Sequence, residues 1–113
     1  MTVNKLKYRE ISEYRQQQLM LNNQCCALCG ELILDDAVLD HDHKTGLIRN
    51  VLHRGCNAML GKIENNMARN RLNVYRLRKF AENLVDYIQT THTDLVHPTY
   101  RTKKKRTKKN ANT

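Results

Sequence analysis

Within four residues, Asp40-His41-Asp42-His43, the chain places two carboxylates and two imidazoles. A carboxylate offers hard oxygen to a divalent cation, and an imidazole exchanges a proton near neutral pH. Together they suit work on a phosphodiester, which needs an activated water and charge neutralisation at phosphorus. On either side lies a half-site for a softer metal, Cys26-x-x-Cys29 before and His53-x-x-Cys56 after. Twenty-three residues separate the halves, a gap longer than in a zinc ribbon. Three thiolates and one imidazole make a closed tetrahedral set with no open position. Cys26, Cys29, His53 and Cys56 are therefore expected to hold a structural Zn²⁺. The plain alternatives are four unrelated residues at a chance spacing and, for Asp40 to His43, a polar surface turn. A second zinc at Asp40–His43 is disfavoured, because adjacent His and Asp rarely converge on one ion from a strand. Cys25 is the spare thiol, read as small and buried or free.

The elements that must position these residues are short. Lys44-Thr45-Gly46 reads as a turn, and Leu47 to Leu52 as a second strand, so a hairpin spans about Val38 to Leu52. It fills the gap between the two half-sites. Gly30 lets the backbone fold around a metal so that amides approach the thiolates. Cys56 falls at the start of a helix expected to reach about Asn66. A longer helix is expected from about Met67 to Thr90, where Val74, Leu77, Ala81, Leu84, Val85 and Ile88 follow three-four spacing. Upstream, residues 4–21 are expected to be helical, with Ile11, Tyr14 and Leu21 on one stripe and Tyr8 beside it. Asn22-Asn23-Gln24 ends that pattern. His92 and His97 have no metal-ligand neighbour and read as incidental. The fold class is thus α+β: one domain over residues 1–99, a small zinc-stapled hairpin-and-helix core with N- and C-terminal flanking helices.

A chain of 113 residues with one Phe and no Trp builds no large aromatic core, and a metal staple is a common remedy at this size. The net charge is +9. Residues 100–113 hold seven Lys or Arg and no acid, leaving +2 on the rest. This tail is expected to be disordered when free. Such a surplus suits a polyanion, and nucleic acid is the commonest one; the alternative is a tail that only aids solubility. Basic residues also crowd the flanking helices (Lys5, Lys7, Arg9, Arg15; Arg69, Arg71, Arg76, Arg78, Lys79), on faces that meet either solvent or phosphate. No run is apolar enough for a membrane span or a signal peptide, so a cytoplasmic location and no membrane partner are expected. In a reducing compartment clustered Cys favour metal over disulfides.

Taken together, Asp40-His41-Asp42-His43, Lys44-Thr45-Gly46, Arg49 and Cys56-Asn57 resemble the phage recombination endonuclease VII family. That family lies within the His-Me finger (ββα-metal, HNH-like) nucleases, and the likeness runs from about Gln24 to Asn66. The resemblance implies that Asp40 binds the catalytic divalent cation and that His41 is the general base. It implies that Asn57 completes the protein's share of the cation site and that His43 lies close to the scissile phosphate. The hard oxygens of Asp40 and Asn57 suit Mg²⁺ or Mn²⁺. Cleavage is expected to leave a 5′-phosphate and a 3′-hydroxyl. The family usually has Cys where this chain has His53, which zinc accepts. Larger members carry a long C-terminal dimerisation region; here a helix and a basic tail stand in its place.

Two functions from different classes follow. The first is a Mg²⁺-dependent DNA endonuclease, either on branched or junction DNA or as a free-standing homing-type enzyme. The second is a non-catalytic zinc-containing nucleic-acid-binding module. The set Asp40, His41 and Asn57 separates them, since a binder has no need of all three. Arg49, Lys44, Arg54, Lys103, Lys104, Lys105 and Arg106 are the candidate DNA contacts, with Arg49 alternatively pairing with Asp42 across the hairpin. A homodimer is a candidate assembly. The resemblance implies phage origin, and with it the host cytoplasm.

Overall fold

The centre of the fold is a two-stranded antiparallel hairpin, β1 (Ala37–His41) and β2 (Ile48–His53). The structure, a computed structural model, describes residues 4–90 and 93–101. Three α-helices complete the described elements: α1 (Ile11–Leu21), α2 (Arg54–Arg69) and α3 (Val74–Thr90). The expected small α+β architecture is the one found. By internal packing the chain forms two units, Met1–Val74 and Tyr75–Thr113. The first holds the hairpin, with α1 and α2 packed on it. The second holds nearly all of α3.

Helix boundaries differ from the sequence expectation in two places. Residues 4–7 are not helical: Lys7 is extended, and Glu10 reaches back to accept from its N–H at 2.9 Å. A 3₁₀ turn at Tyr8–Glu10 then leads into α1. The inward residue of α1 is Leu19, with Ile11, Tyr14, Arg15 and Gln18 half-buried, whereas Leu21 is exposed. Leu19 and Leu21 lie two positions apart, about 200° around the helix, so they point to different sides and only one of them faces inward.

The second correction concerns Met67 to Asn73. The helix expected to begin at Met67 begins at Val74, and α2 runs on to Arg69. Arg71 adopts φ 55°, its N–H donates to the Ala68 carbonyl, and that of Leu72 donates to the Met67 carbonyl at 2.9 Å. This is a Schellman stop, usually made by Gly. Here Arg occupies the left-handed position, so no glycine marks it. α1 ends the same way, with Asn23 at φ 55° and Gln24 donating to Leu19.

The core is small. Leu19, Cys26, Ile33, Val51 and Leu52 are buried, and Ala37, Val38, Leu39, Cys56 and Leu60 pack against them. Two of these ten are cysteines of the candidate metal set. An Asn22–Asn50 side-chain hydrogen bond ties the end of α1 to β2, and Asn50 also accepts from the Val51 amide at 2.8 Å.

Candidate functional site

Cys26 and Cys29 sit on a tight loop. Cys26 N–H donates to the Glu31 carbonyl, and Gly30 N–H donates back to the Cys26 carbonyl, both at 2.9 Å. Gly30 makes the reversal at φ 82°, a conformation that costs glycine little. The loop points amides at sulfur: Leu28 N–H lies 3.4 Å from Cys26 Sγ, and Glu31 N–H lies 3.5 Å from Cys29 Sγ. Cys25 stands outside this arrangement, its thiol against the Asn23 carbonyl.

The second half-site comes from the β2–α2 junction. His53 is the last residue of β2 and the N-cap of α2, and Cys56 lies in the first helical turn. His53 Nε2 donates to the Leu32 carbonyl at 2.9 Å. That bond turns Nδ1 toward sulfur, 3.4 Å from Cys29 Sγ and 3.8 Å from Cys56 Sγ. All four donor atoms lie within 4.8 Å of one another. Zinc–ligand bond lengths imply S···N edges of about 3.6 Å, so the expected set Cys26, Cys29, His53 and Cys56 does converge and fits zinc. The Leu32 carbonyl supplies the partner that orients a ligating histidine.

Charge in this cluster is already biased toward metal binding at one ligand. Burial pushes the Cys26 thiol up, but hydrogen bonds from the amides of Cys29, His53 and Leu28 outweigh it and lower its pKa to about 6. The Leu32 carbonyl, with the Cys26 thiol, raises His53 to about 9. Burial pushes Cys56 up to about 11.

The acidic-histidine run straddles the end of β1. Asp40 is buried at 6% exposure, while His41 is exposed. The two point to opposite sides, as consecutive strand residues must. The His41 and His43 rings meet edge-to-face with centroids 4.8 Å apart. Asp42 lies past the strand and closes the turn. Its Oδ1 accepts from Lys44 N–H at 2.7 Å and Thr45 N–H at 3.3 Å, and its backbone pairs with Gly46 and Leu47. These amide bonds, with Arg49 and Lys44 nearby, hold the Asp42 carboxyl below its usual value.

Arg49 does not pair with Asp42. Asp40 opposes Asn50 and His41 opposes Ile48, so Arg49 is the extra residue of a bulge in β2. A bulge re-aims a side chain, and this one sends Arg49 onto Asp40. Nε donates to Asp40 Oδ2 at 2.6 Å and Nη2 to Oδ1 at 3.3 Å. The other edge of the guanidinium meets Glu64 on α2, Nη1 to Oε2 at 2.8 Å and Nη2 to Oε1 at 3.3 Å. None of the sequence motifs singles out Glu64. Its one signal is spacing: it lies seven residues after Asn57, two helical turns of about 10 Å, on the same face. Leu60 lies between them on that face and packs against the core. Asn57 and Glu64 are both half-buried.

Lys44 and Arg54 are exposed. Lys103, Lys104, Lys105 and Arg106, and also His92, lie outside the described residues. Among the described residues, no helix is long and apolar enough to cross a membrane.

A family model described as recombination endonuclease VII matches residues 2–90. No curated protein matches the chain at a significant level.

Proposed function

From the chain's membership of the recombination endonuclease VII family, and hence a nuclease character with DNA as the implied substrate, we propose a divalent-metal-dependent DNA endonuclease that leaves a 5′-phosphate and a 3′-hydroxyl. One observation carries this reading: a buried carboxylate, Asp40, directly precedes an exposed imidazole, His41, in β1 and is linked through Arg49 to the helix face that bears Asn57. A buried carboxylate calls for a compensating positive charge, since such a group left unpaired is costly. The donor oxygens of Asp40 and Asn57 fit Mg²⁺ or Mn²⁺.

His41 is the general base. Its exposure leaves the ring open to a water molecule, and imidazole is the side chain most often used as a general base. The water oxygen attacks phosphorus as its proton passes to His41. The bond from phosphorus to the 3′ oxygen breaks, and that oxygen takes a proton from solvent. His43, stacked edge-on against His41, restrains the base and faces the scissile phosphate. A bound Mg²⁺ would supply Lewis-acid stabilisation of the charge that develops on the phosphoryl group and the leaving oxygen. Lys44 and Arg54, with the basic tail, grip backbone phosphates and add affinity without sequence information.

The Cys₃His set holds a structural zinc. Asn57 follows Cys56 directly, so fixing that cysteine fixes the first turn of α2 and aims Asn57. The proposed partner besides DNA is a second copy of the chain, supported by the exposed apolar residues Tyr75, Val85 and Ile88 of α3. Two coordinated cuts on a branched substrate need two active sites, so junction cleavage goes with the dimer and homing-type nicking with the monomer.

Plasmid relaxation in Mg²⁺ tests the reading. The wild type nicks, and His41→Ala loses roughly 10²–10⁴-fold in rate while retaining DNA binding. DNA binding with no nicking by either protein would favour the non-catalytic zinc module. Matched four-way junction, mismatch duplex and random plasmid substrates separate branch recognition from sequence recognition.

A further inference from the structure

The proposed cation site already has a cation in it, and that cation is a side chain. Both oxygens of Asp40 accept from Arg49, at 2.6 and 3.3 Å. A carboxylate so engaged is an electrostatically poor ligand for a dication, because the guanidinium would stand against it at short range. Yet Arg49 is not committed to Asp40 alone. Its second edge is held by Glu64 at 2.8 and 3.3 Å, and Nη2 also lies 3.4 Å from the His41 carbonyl. Asp40 is buried, while Arg49 and Glu64 keep 35% and 39% side-chain exposure. The guanidinium therefore has room to move on the Glu64 side. Arg49 is also the extra residue of the bulge, with no residue of β1 directly opposite it.

Resting on the assignment of the cation to Asp40, we propose that Arg49 is the resident counter-ion of this site: it neutralises buried Asp40 until a divalent cation binds, then withdraws onto Glu64. Glu64 is thus a positioning residue that acts on the cation site through Arg49. The exchange keeps the Asp40 carboxylate compensated at every stage, which an empty acidic pocket would not. Its consequence is an affinity for cation lower than the ligands alone would give, with a coupling between two residues that never touch the ion.

The test is Mn²⁺ binding followed by electron paramagnetic resonance, on zinc-loaded full-length protein without DNA. Arg49→Gln is expected to tighten Mn²⁺ by roughly tenfold or more, the scale on which one nearby charge moves a binding equilibrium. Glu64→Gln is expected to weaken Mn²⁺ several-fold, because the guanidinium loses its alternative partner, and to have no such effect when Arg49 is already Gln. A purely structural role for Glu64 would act alike in both backgrounds, and that result overturns the exchange. So does an Arg49→Gln protein whose affinity is unchanged or weaker while Asp40→Asn abolishes binding. Mn²⁺ affinity that survives Asp40→Asn overturns the assignment of the cation to Asp40 and the exchange with it. The wild type gives a measurement free of folding effects. The Arg49 Nε–H resonance should shift on Mg²⁺ addition and saturate with the cation, and a resonance that stays still while Mg²⁺ binds overturns the proposal.

Discussion

Asp42 shows how one residue type serves two purposes within four positions. Asp40 and Asp42 are the same amino acid two residues apart, but one is buried on a guanidinium and the other caps a turn. The second role makes a prediction. Asp42→Ala leaves the Lys44 and Thr45 amides without their acceptor and should lower the melting temperature, whereas Asp42→Asn keeps an oxygen in place and should lower it less. The carboxyl's folded pKa lies below the ordinary 3.8. Its stabilising contribution is therefore complete above that value and lost as pH falls through the lower folded value. Thermal melts across acid pH should show that loss in the wild type and not in Asp42→Asn.

At the scale of elements, the metal set joins the loop after α1, the end of β2 and the start of α2. With so few buried side chains, the hairpin and α2 lack the apolar area to hold together unaided. Chelating the proposed zinc should therefore abolish both the proposed activity and the cooperative thermal transition. Full cleavage by zinc-free protein in Mg²⁺ would refute this. Zinc binding must also displace protons, because His53 titrates at about 9 and Cys56 at about 11 in the metal-free cluster. Calorimetry at pH 7 in buffers of different ionisation enthalpy should show proton release, with affinity rising as pH rises.

For the whole molecule, the charge distribution and the apolar side of α3 carry the expectations. Truncation at residue 99 removes seven cations. It should weaken DNA binding on all sequences alike and reduce the salt dependence, by about 0.9 in slope for each phosphate no longer neutralised. Val85→Glu with Ile88→Glu should convert a dimer to a monomer in sedimentation, leaving single-strand nicking and removing paired cuts on a junction. A wild type that sediments as a monomer at every concentration would remove the dimer from the proposal.

The local chemistry is legible without a structure because it is written in fixed spacings. Cys-x-x-Cys and His-x-x-Cys name a metal set wherever the chain brings them together, and a hairpin between them is the simplest way to do so. Lys44-Thr45-Gly46 marks its turn, and Asn22-Asn23-Gln24 marks the end of α1. What stays hidden depends on register and on residues far apart in the chain. The α2 stop uses Arg71 in a left-handed conformation normally signalled by glycine, so no residue type announces it. A one-residue slip in β2 decides that Arg49 meets Asp40 rather than Asp42, and no propensity encodes that slip. Glu64 joins the site only because two turns of α2 bring its face back to the hairpin. Short-range spacing determined which atoms could bind metal; only the folded chain decided which carboxylate the one central guanidinium would hold.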